Sequence, residues 1–110
     1  MTVERRERIR ALNDRLRQTQ TGGHVMATQG ITGQGPCFVL AVLGALRRYD
    51  EFNDDNDPHG EHDFGSISID GEVVFFKIDY YDLTFTAGAD DPADEATCAR
   101  VLTVMLAGEY

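Results

Sequence analysis

The chain has 110 residues, 42% of them apolar, and a net charge of −9. That length supports one modest hydrophobic core, so a single domain over 1–110 is expected. The acid excess argues against a nucleic-acid partner, because phosphate binding needs lysines and arginines. It favours a basic protein surface or cations as partner.

The charge is unevenly spread. Residues 1–48 hold eight basic and three acidic side chains, and the remainder holds two basic and sixteen acidic. The charged start lacks the apolar stretch of a secretory signal. The longest apolar run, Cys37–Leu46, is too short to cross a bilayer. A cytoplasmic protein without membrane contact is therefore expected, and Cys37 and Cys98 read as reduced core thiols.

Residues 2–18 predict an amphipathic helix capped by Thr2, with Ile9, Leu12 and Leu16 on a narrow apolar stripe. Its arginines read as packed against the chain's own acidic half or facing water. Thr21-Gly22-Gly23 ends it, and residues 24–29 predict a short strand. The glycine-rich 30–35 is read as a flexible connection, since neither phosphate-binding glycine pattern is complete. Pro36 at the first helical position opens a second helix, Pro36–Tyr49, apolar around nearly its whole circumference. Such a helix is central, or shared with a second copy of the chain.

Asp50–Asp63 is a polar loop with seven carboxylates, His59 and His62, and Pro58 and Gly60 forbid a helix there. Two alternating runs then flank Asp70-Gly71, a pair suited to a type I′ turn. Counting outward sets Ile69 opposite Glu72, Ile67 opposite Val74, Gly65 opposite Phe76 and Phe64 opposite Lys77. Ile67, Ile69, Val74, Phe76, Ile78 and Tyr80 form the core face. Extending the register puts His62 opposite Asp79. Residues 83–90 are loop or a short edge strand. Asp91 as cap and Pro92 after it predict a final helix, with Cys98, Val101, Leu102, Met105 and Leu106 on its apolar face. The expected fold is α+β, in the order α-β-α-β-β-α, with a small three-stranded antiparallel sheet and helices packed on one face.

The stretches NDPHGEHDFG (56–65), KIDYYD (77–82), DPAD (91–94) and VLTVMLAGEY (101–110), with IRALND (9–14) and TGG (21–23), carry a family resemblance. The chain resembles a small bacterial family of unknown function, often met on plasmids and other mobile elements. Relatives tend to have Trp-Lys where this chain has Phe76-Lys77. The resemblance brings no activity. It implies a setting, mobile-element cargo, in which small acidic proteins are often inhibitors of host defence nucleases.

Two functional readings follow. In the binding reading, Asp54, Asp55, Asp57, Glu61, Asp63, Asp79, Asp82 and Tyr81 form a negative surface. It occludes a basic nucleic-acid site on a partner such as a CRISPR or restriction nuclease, with Phe52, Phe64, Phe75 and Tyr81 at the desolvated centre. In the alternative, a metal-dependent hydrolase, His59, His62 and Asp63 are the ligands, or His62 is a base oriented by Asp79 and assisted by Tyr81. The binding reading needs no cofactor, and is compatible with a structural one in which Asp57 caps its own turn. A homodimer through the second helix or the Val73/Phe75 face would cover the remaining apolar surface.

Overall fold

The computed structural model describes residues 2–110. Its elements are α1 (Val3–Thr19), β1 (His24–Ala27), α2 (Gln29–Thr32), α3 (Pro36–Arg48), β2 (Phe64–Ile69), β3 (Glu72–Tyr81), β4 (Ala99–Leu106) and a final 3-10 turn (Ala107–Glu109). Four strands form one mixed sheet in the order β1-β4-β3-β2. β1 runs parallel to β4, and the other neighbours are antiparallel. The fold is α+β as expected, but with one more strand than expected and a parallel pair at one edge.

The hairpin follows the predicted register residue for residue, from Ile69 opposite Glu72 to Phe64 opposite Lys77. Asp70 and Gly71 both take positive φ, at 51° and 82°, as a type I′ turn requires. α1 begins where Thr2 Oγ1 accepts from Arg5 N (3.1 Å), and its stripe Ile9, Leu12 and Leu16 is buried. α3 buries Phe38, Val42 and Leu46 against the sheet. Its outer side is exposed, with Leu40 66% accessible, so this apolar helix is not enclosed. Cys37 lies on that exposed side and is not a core thiol; Cys98 is buried. Within the glycine-rich connection, residues 29–32 make the single turn α2, which buries Ile31 in the core.

The largest departure is at the C-terminus. Residues 99–106, expected in a helix, form the strand β4, paired on both sides. Asp91 does accept a nearby backbone bond, from Ala93 N (3.1 Å), and Asp94 N bonds Asp91 O (3.0 Å). The capping signal closes a turn and goes no further. A central strand with apolar side chains on both faces reads as a nearly continuous apolar run, which matches helical spacing as well as strand spacing. Val101, Thr103 and Val104 are β-branched and favour the strand.

α1 and α3 cover one face of the sheet. There Val74, Phe76 and Ile78 of β3 meet Leu102 and Val104 of β4, Leu16 of α1 and Val42 and Leu46 of α3. Among the described residues, no helix lies over the opposite face. Among the described residues no helix is long and apolar enough to cross a membrane.

Candidate functional site

The polar residues of the central loop gather on the helix-covered side. Asp57 is buried, and its carboxylate accepts from Glu61 N (3.0 Å) and His62 N (3.1 Å), closing the turn. His62 takes φ 57°, in the left-handed region, and this turns the chain out of the β2–β3 ladder. Its ring Nδ1 lies 2.8 Å from Asp14 Oδ1, and the ring stacks on Phe52 at 3.9 Å. Arg17 bridges to the same Asp14 oxygen (2.7 Å) and donates from Nε to Leu46 O (3.2 Å), at the end of α3.

Beside this cluster runs a second one. Asn13 Nδ2 donates to Tyr80 Oη (2.8 Å) and to Glu61 O (3.0 Å), and its Oδ1 accepts from Arg100 Nε (2.8 Å). Tyr80 Oη donates to Glu61 Oε1 (2.8 Å). Arg100, 1% accessible, also donates to Pro92 O and sits over the Tyr80 ring at 5.3 Å. Burial pushes the Tyr80 phenol far up and pulls the Arg100 guanidinium down. These groups satisfy one another, which is the behaviour of a structural polar network.

The predicted His62–Asp79 pair does not form. His62 faces α1, whereas Asp79 lies on the uncovered face and pairs with Lys77 (3.2 Å). The proposed catalytic set of His62, Asp79 and Tyr81 is therefore split by the sheet. His59 is exposed, and among the described residues no group of three His, Cys, Asp or Glu side chains converges as metal ligands do. Of the expected acidic surface, Asp57 and Glu61 are buried and turned inward. Asp54 and Asp55 are exposed, in a turn closed by the Asn53 side chain. Asp63 is half-buried; desolvation first, then the charges of Glu61 and Asp57, raises its pKa.

The uncovered face holds a groove of about 730 Å³. Its floor is Val101, Thr103 and Met105 of β4, flanked by Met26 of β1 and by Lys77, Asp79 and Tyr81 of β3. Pairing explains the set: Thr103 stands beside Met26 on one side and Lys77 on the other. Phe85 and Tyr110 form the walls, with Met26 58% and Phe85 52% accessible.

Both ends are braced. The Asp82 carboxylate accepts from Thr84 N and Oγ1 and from Thr86 N and Oγ1 (2.9–3.2 Å), holding the loop that carries Phe85. Glu109 accepts from Thr28 Oγ1 (2.6 Å), Leu106 N (2.8 Å) and Gly30 N (3.1 Å). These bonds hold both carboxyls below their ordinary range, led by the Thr86 amide for Asp82 and the Thr28 hydroxyl for Glu109. Phe64, Phe75 and Tyr110 cluster at 5.3–5.8 Å beside the groove, whereas Phe52 lies on the other side against His62.

The groove residues that sequence reasoning missed include the three on β4. Read with a period of two, Val101, Thr103 and Met105 share one face.

A family model described as a protein of unknown function (DUF3768) matches residues 27–109. The chain belongs to this family. The DUF3768 match takes in the groove floor, the β2–β3 hairpin and α3. No curated protein matches the chain, and no solved structure does.

Proposed function

We propose that this DUF3768 chain is a protein-binding module whose working surface is the uncovered sheet face, and that it takes a partner segment with apolar side chains flanked by lysine or arginine. The observation that carries this reading is the groove itself: exposed Met26 and Phe85 around an apolar floor on a chain of net charge −9, with Asp79 and Glu109 against the one lysine, Lys77, in its lining. An apolar centre inside a charged rim is the usual anatomy of a protein interface. Exposed apolar side chains rimmed by polar residues are a feature of interaction sites.

Five of the six arginines of α1 are engaged within the chain. Arg5, Arg15 and Arg17 pair with Asp91, Glu95 and Asp14, and Arg8 and Arg10 donate to the carbonyls of Ala93 and Gly60. The surplus charge is negative, and it steers a basic partner inward. A nuclease with a cationic nucleic-acid channel, such as a CRISPR or restriction complex, presents that chemistry. Inhibition by occlusion, in a mobile-element setting, is the biological use this reading favours.

Selection of a random peptide display library against the folded chain tests the reading. The expected pool is rich in Arg or Lys next to aromatic or branched residues, and its binding weakens with salt and with Asp79→Lys. A pool of acidic or uncharged sequences, or binding indifferent to both changes, would overturn it.

A further inference from the structure

The two edges of the sheet are not alike. β1 is four residues long, whereas β2 is a six-residue edge strand, FGSISI, with no proline and no charged side chain. Edge strands are normally guarded by such residues, because their unpaired backbone groups are templates for another strand. Ile78 N bonds Asp63 O (2.9 Å), so the inward-bonding positions are Asp63 and every second residue after it, Gly65, Ile67 and Ile69. The N–H and C=O groups of Phe64, Ser66 and Ser68 consequently point away from β3. Among the described residues, no loop backbone and no side chain bonds to them.

A trough of about 470 Å³ runs beside that edge, lined by Ser66, Ile67 and Ser68, by Ala45 and Arg48 of α3, and by the segment 49–51. Its wall carries one cation, Arg48, and two anions, Asp50 and Glu51. Helical spacing places Cys37, Ala41, Gly44 and Ala45 on the flank of α3 that also carries Arg48. Apart from Arg48, those residues have short side chains.

We propose that β2 pairs antiparallel with β2 of a second copy of this chain, joining two four-stranded sheets into one. A two-fold contact is isologous: each surface meets itself, so it must be self-complementary. A wall with cation and anions side by side near the middle of the strand meets that condition. The dyad near Ile67 brings Arg48 of one protomer to Asp50 and Glu51 of its partner, and the reverse. The occupant is a second copy because the exposed α3 flank and the unpaired strand edge lie on one continuous surface that carries both charge signs. The pairing leaves the groove across the sheet open, so it stands independently of the proposed function.

Light scattering of the full chain over a concentration series tests it. The dimer has a mass of about 24 kDa, twice the 12.2 kDa of one chain. It should be populated at about 0.5 mM and dissociate on dilution. Ser66→Pro removes an outward N–H that β3 does not use, which an edge strand tolerates, and should abolish the dimer without changing the far-ultraviolet circular dichroism. Should that variant fail to fold, the charge pair decides alone. Arg48→Glu should weaken association about tenfold or more, and Arg48→Glu with Asp50→Arg should restore it. A monomer at every concentration, or a dimer indifferent to Arg48→Glu, would overturn the proposal.

Discussion

On the helix-covered side of the sheet, Asp14, Arg17, Asp57, Glu61, His62 and Arg100 are each held by another residue of the chain. On the other side, Met26 and Phe85 stand largely exposed around a floor of Val101, Thr103 and Met105. The first side holds more of the residue types associated with catalysis, yet they are spent on one another. The second has fewer such residues and more free surface. Polar density in a sequence therefore marks where a fold satisfies itself as readily as where it acts.

Breaking the closed side should cost stability. Asn13→Ala deprives Arg100 Nε of its acceptor and the Tyr80 hydroxyl of its donor, leaving Tyr80 its bond to Glu61, and should lower the unfolding free energy in urea by about 2–3 kcal/mol. A Cβ at Gly65 would run into the rings of Phe76 and Tyr49. Gly65→Ala should cost about 1–3 kcal/mol, read in the same way. Breaking the open side should do the reverse. Asp79→Lys should weaken binding of a selected basic peptide by about tenfold or more, with stability within about 0.5 kcal/mol of the parent.

The smallest effect is a matter of pH. Burial raises the Asp63 pKa above 3.8, so the folded state holds that proton more tightly than the unfolded chain does. A raised folded-state pKa gives stability that is fully present below the unfolded value and is lost as pH rises through the folded one. Asp63→Asn removes that loss. It should melt at a higher temperature than the parent at neutral pH, and the gap should close as pH falls through the carboxylate range. A gap that widens in acid would show the opposite sign.

Much of the frame was legible in the sequence. The Asp70-Gly71 turn and strict alternation fixed the hairpin register, and Thr2 and Pro36 marked two helix starts, because each signal is local. What escaped depended on tertiary context. β4 is apolar on both faces because one packs under the helices and the other forms the groove floor, and nothing local separates that pattern from a helical one. The register failed at His62 because a single left-handed residue ends the ladder two positions before the extrapolation reached it. The acidic loop was readable as a self-closing turn through Asp57, but its division into buried Asp57 and Glu61 and exposed Asp54 and Asp55 depends on where α1 lies.

Amide chemical shifts recorded while a basic peptide from the selected pool is titrated into the isotopically labelled chain test the division of the two faces most directly. The shifts should move at Met26, Lys77, Asp79, Tyr81 and Thr103 and stay still at Asp54, Asp55 and His62. Shifts centred on the turn at 50–62, with the groove silent, would contradict the assignment of the working surface to the uncovered face.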